Sequence, residues 1–262
     1  MKKIQLISVL LFALIISCKN SSQIVSPSPL EEINIDAQLQ EEVKNHPVIN
    51  APVIEQNKVK NIDVFLNSRK TTSVQYDYYA DGKIKNVSFA NNNPQEYMYK
   101  DDVLTVNNTD KTYLLDKSGL AQSIKGDNRT KFFYKDGFLL RTNIAGDFKY
   151  SYSPTGNLTK IFIENASLNY EYTDYPNTIR QEILKLQEYS NSIRDGYLGR
   201  FSTNLIKEIK YNEMTVMTFM YEFDAQKRVT KVIMNRIAPN SSSVSNKIIL
   251  GPTALIEYNL SC

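Results

Sequence analysis

Three stretches of this chain follow one outline: an aromatic residue, three turn residues, a glycine or lysine, a polar residue and an aliphatic one. Tyr78-Tyr79-Ala80-Asp81-Gly82-Lys83-Ile84 and Tyr152-Ser153-Pro154-Thr155-Gly156-Asn157-Leu158 carry glycine at the fifth place, and Phe223-Asp224-Ala225-Gln226-Lys227-Arg228-Val229 carries Lys227 there. The residues that follow repeat too: IKNVSF, LTKIFI and VTKVIM share aliphatic, polar, Lys or Asn, aliphatic, any, apolar. Shorter relatives lie at 99–104, 115–124 and 134–139. Glycine enters the positive-φ region without steric cost, and Asp, Asn and Ser beside it hydrogen-bond their own backbone. Tyr, Phe, Ile and Val on either side suit a pleated, half-buried surface. Each copy therefore reads as a hairpin, with Gly82 and Gly156 at positive φ. The fold class that follows is mainly β: an antiparallel sheet of repeated hairpins, arranged as a meander or a partly closed barrel or sandwich.

One segment departs from this rhythm. After Pro176, the residues Ile179, Ile183, Leu186, Tyr189 and Ile193 recur at spacings of four, three, three and four, with Asn177 available as an N-cap and Gly196 just beyond. That spacing predicts one amphipathic helix over 177–194, its apolar stripe packed on the sheet.

The N-terminus sets the compartment. Lys2 and Lys3 precede an apolar run from Ile4 to Ile16 that is too short to span a bilayer, as a signal peptide is. Ile15, Ser17 and then Cys18 resemble the lipobox of bacterial lipoproteins, which implies that Cys18 is acylated and becomes the first mature residue. From 19 to about 58 the chain is Ser- and Pro-containing, then acidic and Gln-rich, with no sustained apolar face. Such a segment buries too little surface to offset its ordering entropy. The expected organisation is a signal peptide over 1–17, a lipidated end and flexible or partly helical tether over 18–58, and a single β-rich domain over 59–262.

Charge and residue inventory exclude several function classes. The whole chain carries a formal charge of +3, so removal of Lys2 and Lys3 leaves +1, and a nearly neutral body argues against nucleic acid, whose binding needs a strongly basic face. With Cys18 lipidated, Cys262 has no partner for an intrachain disulfide. There is no Gly-x-Ser-x-Gly elbow, no His-Glu-x-x-His, no phosphate-cradling loop and no spaced Cys/His set, and the one histidine, His46, lies in the tether. No metal, cofactor or catalytic residue is therefore expected. Glu164, Glu171 and Asp174 lie close enough in sequence to supply the two acids of a glycosidase, which keeps a carboxylate-based glycan-active enzyme as the alternative function. Seventeen tyrosines and no tryptophan offer stacking surface for a glycan or peptide, although cross-strand pairing is the commoner use.

Two resemblances join these features. The turns are similar to the YD repeat of large bacterial secreted proteins, with Phe223-Asp224 the nearest match to its dipeptide. Over most of the mature length, the lipobox, the Tyr-rich hairpins, LNYEYTDYPNTI and GYLGRFSTNLIKEI resemble a Bacteroidetes lipoprotein family catalogued as domain of unknown function 4595. That resemblance implies an envelope lipoprotein with an antiparallel β body and supplies no reaction. The resulting expectation is a non-enzymatic binding or structural module, lipid-anchored in the cell envelope. The residues after Cys18 are not acidic, which favours an outer-membrane location with the domain facing the periplasm over the cell surface. Its partners would be the membrane and an unidentified glycan or envelope protein.

Overall fold

In the computed structural model, which describes residues 29–89, 93–109, 111–143, 147–163, 166–180, 196–237 and 254–260, the alternating segments form sixteen antiparallel strands. They are β1 (Val59–Leu66), β2 (Arg69–Tyr78), β3 (Ile84–Phe89), β4 (Gln95–Lys100), β5 (Val103–Val106), β6 (Lys111–Leu115), β7 (Ala121–Ile124) and β8 (Asp127–Lys135). The second half comprises β9 (Phe138–Thr142), β10 (Phe148–Tyr152), β11 (Leu158–Ile163), β12 (Ala166–Pro176), β13 (Asn204–Tyr211), β14 (Met214–Phe223), β15 (Val229–Arg236) and β16 (Ala254–Leu260). Each strand pairs with its neighbours in sequence, and β1 pairs with both β2 and β16, so the meander closes into a barrel. The expected β body is present, and of the arrangements the hairpins allowed, the described strands adopt the barrel.

The recurring turn is built the same way four times. The backbone N–H of Tyr79, Asp116, Ser153 and Asp224 each donates to the carbonyl four residues on, and the N–H of Gly82, Gly119, Gly156 and Lys227 donates back to that first residue. Each turn follows a bulge at the same place, where Tyr78 faces Ile84, Leu115 faces Ala121, Tyr152 faces Leu158 and Phe223 faces Val229. The stretch at 115–121, which the sequence presents as a shorter relative, is thus a full copy with Leu and Ala at its ends. In contrast, 99–104 and 134–139 are two-residue turns, across which Lys100 faces Val103 and Lys135 faces Phe138. The bulged turn therefore recurs every fourth strand.

Gly82 and Gly156 both take positive φ, 85° and 84°. Their surroundings differ. A side chain at Gly82 would find only Lys58 Cε, at 4.0 Å, whereas a Cβ at Gly156 would stand 2.4 Å from Ala51 Cβ and 2.9 Å from Phe138 Cζ. At Gly82, Val should cost about 1–3 kcal/mol and Asn, which tolerates this backbone, clearly less. At Gly156 both should be damaging, because each carries a Cβ. Thermal melts of the four variants check this, and a mild Gly156→Asn would show that the segment around Ala51 is not packed there.

The alternation of polarity decides the barrel's medium. Inward residues such as Ile84, Val87, Tyr97, Leu104, Tyr113, Leu158, Ile161, Ile209 and Val232 are 0–1% exposed and form one apolar core. A round barrel of sixteen strands would leave a lumen, so the near-complete burial of these side chains means that the interior is filled by protein. The outer positions carry Gln75, Asp77, Lys85, Lys149, Glu171, Lys207 and Glu222, all exposed within the strands, and the exposed apolar residues Met98, Leu114, Phe162 and Met220 stand scattered among them. A transmembrane barrel presents the reverse, an apolar band outside and polar residues inside. This wall is built to stand in water.

The predicted helix over 177–194 falls mostly on residues outside the described set, where 181–195 lie. Its first residues, Asn177 and Ile179, are fully buried, and the stretch leads out of β12 as a turn rather than as a helix start. Helix α1 (Pro29–Asn45) lies in the segment read as a flexible or partly helical tether, with Leu39 buried and Val43, one turn on, half-buried among its described side chains. Glu42 bridges Arg141 at 3.0 Å and Lys149, while Arg141 also chelates Asp147 through two hydrogen bonds. Beyond the helix, Ile49 is buried and its N–H donates to Asp136 Oδ2 at 2.8 Å, and Asn57 N–H donates to Thr178 O at 2.7 Å. Residues 47–57 are thus a strap fixed to the domain, not a free spacer.

The Lys149 ammonium, hydrogen-bonded to Glu42, and the neighbouring Arg141 hold the Glu42 carboxyl below its usual range, against partial desolvation. A depressed carboxylate contributes stability that is present above its unfolded value and lost as pH falls through the folded one. Glu42 is well exposed, so the contribution is at most about 1 kcal/mol. Protection of the α1 amides, taken relative to the intrinsic exchange rate at each pH, should therefore fall at pH below about 4, within the range where carboxylates protonate, and at high salt, while the barrel strands stay protected.

Candidate binding cavity at the plugged rim

A meander returns every second turn to the same end. The turns after β2, β4, β6, β8, β10, β12 and β14 therefore share one rim, and all four bulged turns lie on it. The connection from β12 to β13 is far longer than the others, and its final part, residues 196–203, is bound across this rim. Ala121 N–H donates to Tyr197 O at 2.8 Å, Arg200 N–H to Gly137 O at 2.7 Å, and Leu158 N–H to Ser202 Oγ at 3.1 Å. Tyr172 shares a hydrogen bond with Ser202 Oγ at 3.0 Å, and Thr203 donates to Thr155 O at 3.0 Å. The segment so satisfies strand-end groups of three consecutive hairpins. Tyr197 and Leu198 enter the core, with the Tyr197 ring 4.9 Å from that of Tyr113. These residues close the end of the barrel as a plug.

Glycine makes this fit. Gly199 has φ of 103°, and a Cβ there would meet Gly137 O at 2.8 Å and Leu139 N at 3.2 Å. The next residue, Arg200, lays its guanidinium 4.9 Å over the Phe138 ring and donates to Ala51 O and Pro52 O at 3.3 and 3.0 Å. Plug and strap are thereby tied together.

Between them lies a cavity of about 510 Å³. Pro52, Val53 and Ile54 of the strap, Leu120 and Phe201 supply its apolar lining. Gln56, Ser118, Arg180, Arg200, Ser202 and Thr203 supply the polar lining. Gln56 Nε2 donates to Ile54 O at 3.0 Å and Asn177 O at 3.1 Å, while its buried Oε1 has no hydrogen-bond partner among the described residues. The described lining holds two guanidinium groups and no carboxylate.

The residues singled out in the sequence stand elsewhere. Cys18, Cys262 and Glu164 lie outside the described residues. Glu171 is exposed on the outer wall, where its ion pair with Lys210 holds the carboxyl below its usual range, and Asp174 is exposed at the end of β12, so these two do not converge in the cavity. His46 follows α1, with Nδ1 2.9 Å from Pro47 O. Of the tyrosines, Tyr76, Tyr97, Tyr113, Tyr150, Tyr152, Tyr170 and Tyr197 are buried in the core and so offer no stacking surface, whereas Tyr175 is exposed. Among the described residues no three His, Cys, Asp or Glu side chains come together as a metal site. The strap and the plug residues Arg200 and Ser202 were not legible as a site; the pair Gly196 and Gly199 in GYLGRFSTN was their one visible signal.

No family model matches the chain, so the resemblance to the lipoprotein family of unknown function gains no support from one. No curated protein matches it either. Among solved structures, the chain is similar to a porin-like protein from Bacteroides uniformis, at 16% identity and a TM-score of 0.61, over 79% of this chain and 100% of that one. At that identity the likeness extends to the fold.

Proposed function

We propose that this chain is a lipid-anchored envelope protein whose barrel is a non-enzymatic binding module, taking a small ligand in the cavity between strap and plug. The single observation that carries the reading is that cavity: it is a place on a filled, water-facing barrel where apolar lining and two guanidinium groups meet. Pockets of this size with few convergent polar groups are typical small-molecule sites. The lining fits a molecule with an apolar body and an acidic group for Arg180 or Arg200. The solved relative is described as porin-like, but the polarity of this wall argues for a soluble body, with the membrane attachment left to Cys18.

The dye 1-anilinonaphthalene-8-sulfonate combines an aromatic body, a sulfonate and an N–H. It should bind saturably to a single site with a rise in fluorescence. Ser118→Trp, at an exposed position on the cavity's edge, should weaken binding at least tenfold with little change in melting temperature. Unsaturable binding, or affinity indifferent to this substitution, would contradict the assignment.

A further inference from the structure

From the course of α1 we infer that the rim opposite the cavity faces an anionic lipid surface, so that the cavity opens away from the membrane; this rests on the anchoring of Cys18 proposed above. The C-terminal end of α1 is fixed at the cavity rim. Lys135, the last residue of β8 before the β8–β9 turn, donates through Nζ to Lys44 O at 3.2 Å, and Asp136 in that turn holds Ile49 N–H. Glu42, less than a turn earlier, reaches Arg141 and Lys149, which face each other on β9 and β10 nearer the opposite rim. Arg141 in turn holds Asp147 beside the β9–β10 connection on that rim. The helix thus leads backward from the cavity rim toward the other one. Its 17 residues, at 1.5 Å each, span about 25 Å. Ten further residues, 19–28, separate Pro29 from Cys18, and the eleven steps between the two span at most about 40 Å of extended chain. The anchor therefore leaves from the side opposite the cavity.

The charge of that opposite rim suits phospholipid headgroups. Lys125 is exposed on the β7–β8 turn, and Arg69 and Arg129 are exposed at the starts of β2 and β8. Asp147 is paired with Arg141, so these three cations stand against two described carboxylates close by, Asp127, which accepts from Thr130 Oγ1 and the Arg129 N–H, and Glu213 on the β13–β14 turn, which accepts from Asn169 Nδ2 at 2.8 Å. The neighbouring β13–β14 turn presents an exposed Met214. Basic side chains within a Debye length of an anionic leaflet are attracted to it, so a tethered barrel would settle on this rim.

The test uses the full lipidated chain in vesicles of phosphatidylethanolamine and phosphatidylglycerol, 3:1, with Cys262→Ser as background. A fluorophore is attached at Asn107→Cys on the β5–β6 turn or at Lys117→Cys on the cavity rim, both exposed positions, and quenched by headgroup spin-labelled lipid. The expected result is quenching at least threefold stronger at 107 than at 117. Glu42→Lys, which sets a cation against Arg141 and Lys149, should narrow that ratio while the protein still floats with the vesicles. Flotation with equal quenching, or stronger quenching at 117, overturns the orientation and leaves the anchor standing. Failure to float overturns both.

Discussion

Gly199→Ala is expected to lower the melting temperature by about 10 °C, the signature of about 3–5 kcal/mol in a domain of this size. Two effects combine. The backbone at φ of 103° is one that a side chain rarely adopts, and the new Cβ would stand 2.8 Å from Gly137 O, a backbone atom fixed in the β8–β9 turn by its bond from Arg200 N–H. The turn glycine Gly119 separates the two contributions, because its φ is 83° and a Cβ there meets nothing within 4 Å. Gly119→Ala should therefore cost only about 1–2 kcal/mol, the conformational part alone. Equal, small losses at both positions would mean that the plug does not approach the β8–β9 hairpin so closely.

Cys18→Ala in the full chain should abolish incorporation of labelled palmitate and leave a precursor that retains residues 1–17. The expected effect is all or none, since in the proposed anchoring the thiol would be the acceptor of the lipid. The acyl chains of one residue hold a protein to a bilayer at about 0.8 kcal/mol per buried methylene, so no surface contact of the barrel would replace them. Normal maturation together with undiminished label would show that the resemblance of Ile15-Ile16-Ser17-Cys18 to a lipobox is misleading.

What the sequence disclosed was local. The bulged turn is specified within seven residues, by a turn former such as Asp116 or Asp224 that caps its own backbone and by a residue at positive φ four places into the motif. Its Tyr, Ile and Val flanks alternate with charged residues, and that alternation told wall from solvent. The copy at 115–121 reads only as a shorter relative because Leu115 and Ala121 replace the larger residues that mark the others, although Gly119 keeps the same turn. Helix α1 was obscured for a different reason: Leu39 and Val43 are a narrow stripe, and what completes the docking is Glu42 meeting Arg141 and Lys149 about a hundred residues away. The candidate site was illegible on the same grounds. Strap, plug and hairpin tips come from residues 52–56, 118–137 and 180–203, and only closure of the barrel brings them together.

A filled, water-facing barrel should depend on its lipid, and not on its wall, for the membrane. Flotation of residues 19–262, prepared without detergent, against neutral phosphatidylcholine vesicles tests it most directly. The protein should remain folded and stay wholly in the dense fraction, as an outer face carrying Asp77, Lys85, Lys149 and Glu222 requires. Co-flotation that resists alkaline carbonate would contradict the account, since it would place that charged wall in the hydrocarbon layer.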